Sequence, residues 1–282
     1  MDFALKLEIN IVQKTNYPKK LPFEMITNEV LKYGVFENGL FVINRKDKEG
    51  FICFHPEHIG RGIQVQWDEK DEINMKLLLP STYEEIHDFI EMGLRIAKYW
   101  TCSMTLNQEL VTSQDLGNME EDIERMNSKI FKDMVKSLIQ DGDEILDLAC
   151  ATSVLALSKK EVYSMKDVTN TNLYRDWLHL KQKEMYFRVQ EEFLQKDEKN
   201  FGLFTIPLQI PFLILKEPSI NYQWIVQFYD VVKNEIVGYL TYAAFIHQLD
   251  DFQYDDYDAR YWLVKPISLE MAQYLTASKQ DE

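Results

Sequence analysis

The segment from Gly60 to Trp100 constrains the fold more than any other part of the chain. It begins with two runs in which apolar and polar residues alternate, separated by the acidic turn DEKDE. The apolar positions are Ile63, Val65 and Trp67 in the first run and Ile73, Met75, Leu77 and Leu79 in the second. A period of two predicts a pair of half-buried antiparallel strands.

A helix is predicted directly after these strands, over residues 81–100. Ser81 or Thr82 is placed to cap its first turn, and Glu84 or Glu85 stands at the spacing of a capping box. One apolar stripe at three-and-four spacing follows, made of Ile86, Phe89, Ile90, Gly93, Leu94, Ala97 and Trp100. Strand, strand and helix together predict an α+β fold with packed helices.

The rest of the chain extends this pattern into two predicted subdomains. The first covers residues 1–110 and the second covers residues 111–282, with two long helices followed by antiparallel strands. Helices are predicted at 25–34, 118–138 and 172–196, and strands at 2–12, 222–232, 235–245 and 260–264, with a hairpin of 41–44 and 51–54. The proline-containing run TIPLQIPFLIL predicts an edge strand or a bulged connection.

Charge and cysteine content exclude several classes of protein. The formal net charge of -15 disfavours a nucleic-acid partner, because phosphate binding needs clustered lysine and arginine. A basic partner fits this charge better. The N-terminus lacks a signal peptide, and no apolar run reaches the ~20 residues of a membrane helix. Three widely spaced cysteines indicate reduced thiols, so a cytoplasmic protein with no membrane partner is predicted.

The run EILDLACATS at Glu144–Ser153 resembles the first motif of class I methyltransferases that use S-adenosylmethionine. The resemblance implies that Asp147 and Cys150 lie at a cofactor, with Asp147 as the acid that ends a strand. The family has glycines where this chain has Ala149 and Ala151, and no second strand ending in an acid follows. A buried strand explains the same run without a cofactor.

The run CFHPEHIG contains the residue types of a metal site. Cys53 and His55 would share one strand face, and His58 follows three residues later. Zinc needs three or four convergent ligands, and no fourth ligand is visible nearby in the sequence. The alternative is a loop with two solvated imidazoles, and no metal is predicted.

The run LDDFQYDDYD mixes carboxylates with aromatic rings. It lacks the glycine and the final glutamate of a calcium loop. Carboxylates and tyrosines together are typical of an interface with a basic protein. The residues predicted to bind a partner are Asp250, Asp251, Tyr254, Asp255, Asp256 and Tyr257. The alternative is a solvated acidic loop.

The segments GRGIQVQWDEKDEINMKLLLPSTYEEIHDFI and WIVQFYDVVKNEIVGYL are similar to a family of uncharacterised bacterial proteins, found mainly in Gram-positive species. The resemblance spans most of the chain and includes no catalytic motif. It implies a bacterial, cytoplasmic protein and assigns no functional residue.

The function predicted from these observations is a non-enzymatic interaction protein of immunity or adaptor type, which binds a basic protein partner. The prediction includes no cofactor, no metal and no catalytic residue, and it leaves the oligomeric state open. A methyltransferase with a degenerate cofactor motif is the alternative.

Overall fold

The computed structural model describes residues 5–13, 15, 19–37, 40–68, 71–140, 145–165, 171–196, 199–249 and 254–277. Internal contacts divide the chain into two compact units, Met1–Glu37 with Phe41–Met185 and Asn38–Leu40 with Tyr186–Glu282. Helices and largely antiparallel strands occur in both, which confirms the predicted α+β class. The boundary predicted between residues 110 and 111 falls inside the first unit.

Eight strands of the first unit form one sheet. They are β1 Leu5–Val12, β2 Lys32–Glu37, β3 Leu40–Ile43, β4 Phe51–Phe54, β5 Ile63–Trp67, β6 Glu72–Leu79, β7 Met104–Leu106 and β8 Glu109–Val111. Their order across the sheet is β3-β2-β4-β5-β6-β1-β7-β8. The two alternating runs pair antiparallel, with Val65 opposite Met75, as predicted. The predicted hairpin of β3 with β4 is wrong, because β2 lies between them.

The helices of the first unit include the one that its sequence pattern predicts best. The helices are α1 Glu24–Thr27, α2 Tyr83–Trp100, α3 Ser113–Asn118, α4 Glu120–Gln140, α5 Lys159–Ser164 and α6 Thr171–Gln182, and a hairpin joins β9 Leu146–Ala149 to β10 Val154–Leu157. Thr82 caps α2 by accepting a hydrogen bond from Glu85 N at 3.1 Å. Ile86, Phe89 and Ile90 are buried in one core with β1 and β6. Burial of each such side chain contributes about 1.5–3 kcal/mol.

The contacts of α2 explain why the first unit continues past residue 110. α3 and α4 both pack against α2, and Leu116 and Ile123 belong to the same core as the sheet. The long amphipathic helix predicted from residue 118 is therefore part of the first unit. The apolar stripe of α4 packs against α2, and α2 in turn packs against the sheet.

The helix predicted over residues 25–34 is much shorter in the structure. α1 ends at Thr27, where Asn28 and Glu29 adopt left-handed conformations with φ of 49° and 60°. Such angles stop a right-handed helix, and asparagine is one of the residues that tolerate them. The chain then enters β2 at Lys32.

The second unit contains two four-stranded sheets. Its strands are β11 Phe187–Arg188, β12 Glu191–Lys196, β13 Lys199–Pro207, β14 Phe212–Leu215, β15 Gln223–Asp230, β16 Glu235–Thr241, β17 Tyr254–Asp256 and β18 Tyr261–Val264, and its helices include α7 Tyr242–His247 and α8 Leu269–Ala277. The sheet orders are β12-β13-β15-β16 and β11-β14-β18-β17. Phe204, Phe228 and Phe245 are fully buried in the core of this unit.

Two predictions for this region need correction. The helix predicted over 172–196 ends at Gln182, because residues 191–196 form β12 and pair with β13 along their whole length. The run TIPLQIPFLIL does not form an edge strand, since β13 and β14 both lie inside their sheets. Pro207 is the last residue of β13 and Pro211 precedes β14, so neither proline interrupts a ladder.

The strand predicted over residues 235–245 stops at Thr241. Thr241 accepts a hydrogen bond from Ala244 N at 3.2 Å and so begins α7. Among the described residues, no helix combines the length and the apolar character that a membrane crossing requires.

Candidate functional site

The segment predicted to bind a partner contains an edge strand. β17 pairs antiparallel with β18, with Asp255 opposite Leu263, and is the last strand in its sheet order. The side chains of Tyr254, Asp255 and Asp256 are exposed. The Tyr254 ring lies 6.0 Å from the Trp262 ring in an edge-to-face arrangement. In the described part of the chain, no strand pairs with the outer side of β17.

The carboxylates near β17 have different surroundings. Asp256 Oδ1 is 2.8 Å from Lys216 Nζ, which also donates to the Asp258 carbonyl at 2.6 Å. Asp258 is buried, and its Oδ1 accepts two backbone N–H groups of the turn that leads into β18. Asp255 has no ion-pair partner among the described residues. Asp255 therefore supplies the uncompensated negative charge of this edge.

Not all residues predicted for this surface lie on it. Tyr257 is only 5% exposed, and its ring packs against Tyr186 at 5.9 Å in an edge-to-face contact. The burial of Tyr257 could not be predicted from alternation of apolar and polar residues, because Tyr257 lies just after the end of β17. Asp250 and Asp251 lie outside the described residues.

The residues of the methyltransferase-like motif form a hairpin. Asp147 is exposed on β9 and lies opposite Ala156 of the antiparallel strand β10. Cys150 is buried at the turn, where its N–H donates to the Ser153 carbonyl at 2.9 Å. The class I motif implies a strand, a turn and a helix, whereas strand β9 leads into a second strand. The local fold therefore departs from the one that the resemblance implies.

The residues of the CFHPEHIG run do not converge on one point. Cys53 is fully buried, and burial raises the pKa of its thiol well above the usual range. His55 and His58 stack on each other with 5.1 Å between ring centres. Within the described ranges, no group of three or more His, Cys, Asp or Glu side chains is arranged to hold a metal ion.

A third histidine joins this pair from a distant part of the sequence. His179 of α6 accepts a hydrogen bond from Ile59 N on its Nδ1 at 3.3 Å. Burial lowers the pKa of His179, and the charges of His58 and Lys183 lower it further, whereas Asp176 opposes them. The neutral imidazole is thus the form that the folded protein prefers.

We expect the contribution of His179 to the stability of the protein to fall on acidification through the ordinary titration range of histidine. The unfolded chain takes up the proton at the ordinary pKa of about 6.5, while folded His179 titrates lower, so the unfolded state gains from the proton first. Urea unfolding at pH 7.5 and pH 5.5 measures this loss. In His179→Gln, which keeps an acceptor for Ile59 N, the loss should be smaller. An equal loss in both proteins would contradict the role of His179.

The Gly60-Arg61-Gly62 turn is buried among polar groups. The Glu85 carboxylate accepts Arg61 N at 2.7 Å, Gly62 N at 2.8 Å and the Ser81 hydroxyl. Arg61 donates its Nε to the Ala149 carbonyl. Burial raises the pKa of Glu85, and the donors from Ser81, Gly62 and Arg61 oppose that shift. The polar groups of the turn therefore form hydrogen bonds within the protein.

Amide side chains from the helices complete this buried network. Gln182 of α6 donates to the Gly60 carbonyl at 2.8 Å and accepts Thr152 N at 3.0 Å. Asn127 of α4 both accepts from Ser81 N and donates to the Ser81 carbonyl, at 2.8 Å and 2.9 Å. These bonds tie the β9–β10 hairpin, α4 and α6 to the start of α2, and they satisfy polar groups that burial would otherwise penalise.

Fold and site together define an α+β protein with an exposed acidic strand edge in one unit and a self-satisfied polar network in the other. The chain belongs to the family described as a domain of unknown function, DUF4299, whose model matches residues 6–275. This agrees with the resemblance to an uncharacterised family. No curated protein and no solved structure matches the sequence.

Proposed function

We propose that this protein is a non-enzymatic interaction protein of immunity or adaptor type, which binds a basic segment of a partner protein along β17. The observation that supports the proposal is the exposed edge of β17, with Asp255 uncompensated and Tyr254 beside Trp262. Asp250 and Asp251 extend the acidic character of this segment in the sequence.

An edge strand is a ready site for a partner in extended conformation. Its outer N–H and C=O groups form main-chain hydrogen bonds with an added strand, and neighbouring side chains supply the specificity. On β17 these side chains are a carboxylate and an aromatic pair, which favour lysine and arginine through charge and cation–π contact. The net charge of -15 attracts a basic partner at longer range.

We place this interaction in the bacterial cytoplasm. Cys53 and Cys150 are buried thiols, Cys102 is partly exposed, and none of the three forms a disulfide. Thiols in the reduced form are typical of a reducing compartment. The similarity to proteins of Gram-positive bacteria supports the same location.

The test compares two charge reversals by native mass spectrometry of the tagged protein, recovered at ordinary expression from the organism that encodes it. Asp255→Lys reverses the charge at one position of β17, and Glu192→Lys makes the same change on the exposed edge strand β12. We expect a stoichiometric basic partner with the natural protein and with Glu192→Lys, and its loss with Asp255→Lys.

Two results would contradict the proposal. One is a partner that stays bound to Asp255→Lys as it does to Glu192→Lys, which would place the interface elsewhere. The other is recovery of the natural protein without any protein partner.

A further inference from the structure

A cleft in the first unit combines lysines with aromatic side chains. Its cavity has a volume of 460 Å³ and is lined by Lys20, Leu21, Pro22, Phe23, Lys46 and Trp67. Leu21 is fully buried beneath the cleft, while Lys20 and Lys46 are exposed. Small-molecule sites commonly have such a volume and a mainly apolar lining with a few charged groups. We call this surface the lysine–aromatic cleft.

The aromatic wall of the cleft is held in place by its neighbours. Phe23 and Trp67 stack with 5.7 Å between ring centres and 26° between ring planes. Phe23 also packs against Tyr33 and Phe51, at 4.7 Å and 5.5 Å. Because Phe23 contacts three other rings, it has little freedom, so the wall is formed before any ligand arrives.

Lys46 brings a positive charge to this wall. Its Nζ lies 4.7 Å from the centre of the Trp67 ring and 5.0 Å from that of Phe23. The described lining residues of the cleft include two lysines and no acid. The chain has a net charge of -15, so two lysines without an acid among the described lining residues are unusual for this protein.

An adjoining cavity continues the same surface. It has a volume of 380 Å³, shares Lys46 and Trp67 with the cleft and adds Lys48. Asp47 and Asp68 also line it, so its charges are mixed.

We propose that the lysine–aromatic cleft binds a small ligand in which an anionic group is attached to a planar ring. The ring packs against the wall of Phe23 and Trp67, and the anion contacts the ammonium groups of Lys20 and Lys46. Neither half suffices alone, because an exposed ion pair is weak in water and a small ring buries little area. This site is separate from β17 and does not depend on the proposed function.

The experiment uses phenyl phosphate as the probe and isothermal titration calorimetry at low ionic strength. Inorganic phosphate supplies the anion without the ring, and benzyl alcohol supplies the ring without the anion. We expect phenyl phosphate to bind more tightly than either. Lys46→Gln and Lys20→Gln should each weaken it by about threefold, as loss of one exposed ion pair does.

The control variant is Lys132→Gln, an exposed lysine on α4 that should leave binding unchanged. All substituted side chains are on the surface, so circular dichroism should show the natural fold in each. The proposal is overturned if phenyl phosphate does not bind, if inorganic phosphate binds equally well, or if Lys46→Gln binds phenyl phosphate as Lys132→Gln does.

Discussion

Glu85→Ala is expected to destabilise the protein by about 3–5 kcal/mol, because each buried donor left without an acceptor costs about 1–3 kcal/mol. Glu85 is 1% exposed, and its carboxylate is the acceptor for the N–H groups of Arg61 and Gly62 and for the Ser81 hydroxyl. Alanine leaves these three donors buried without that acceptor, and water cannot replace it without opening the core. Urea unfolding followed by circular dichroism measures the loss.

Two further variants separate the effect of removing the hydrogen-bond acceptor from the effect of placing alanine in α2. Glu91→Ala removes an exposed carboxylate from the same helix and should change stability by no more than about 0.5 kcal/mol. Glu85→Gln keeps one oxygen acceptor and should lie between the two. If Glu85→Ala unfolds at the same urea concentration as Glu91→Ala, the buried network is not what holds the turn at residues 60–62 to α2.

Phe245→Ala is expected to cost a similar amount, about 3–5 kcal/mol, in the second unit. Phe245 is fully buried on α7, and its ring lies 6.3 Å from that of Phe228 in β15. Alanine loses the transfer free energy of the ring and leaves a cavity that β15 and α7 cannot close without breaking their own hydrogen bonds.

Phe245→Leu provides the graded comparison for this position. Leucine fills much of the ring's volume, so its cost should be about 1 kcal/mol. Denaturant midpoints for both variants, read from fluorescence and circular dichroism, check the order. A Phe245→Ala protein as stable as Phe245→Leu would mean that α7 does not pack on β15 as described.

The segment at residues 60–100 was predictable because its local and tertiary preferences agree. The alternating apolar residues of β5 and β6 and the apolar stripe of α2 are the residues that are buried. Thr82 caps the helix at the predicted place. The same agreement holds for α4, whose stripe includes the buried Phe131 and Leu138. Periodicity is sufficient where one face of an element is covered and the other is not.

The failures occur where a tertiary contact overrides local preference. Residues 191–196 have an apolar face broken by glutamate, and their ladder with β13 decides the conformation. Residues 28–29 end α1 through left-handed torsions that no hydrophobic period reveals. β2 lies between β3 and β4 in the sheet, and the spacing of the strands along the chain does not predict this order.

The hydrogen bonds of the buried polar side chains were also not predictable from the sequence. His179 stands 120 positions from its donor Ile59, and Gln182 stands 122 from Gly60, so no local motif connects them. The stacking of Phe23 with Trp67 joins residues from two separate segments. For the acidic segment, composition identified the exposed Tyr254 and Asp255, while the burial of Tyr257 follows only from the packing of the sheet.

Hydrogen–deuterium exchange of the protein with its recovered partner tests the central proposal most directly. Strand addition predicts that backbone amides of residues 254–256 exchange more slowly in the complex than in the protein alone, because the added strand pairs with the outer edge of β17. The edge strand β12 serves as the internal reference and should be unaffected. Protection of β12 or of the first unit, with residues 254–256 unchanged, would contradict the proposal.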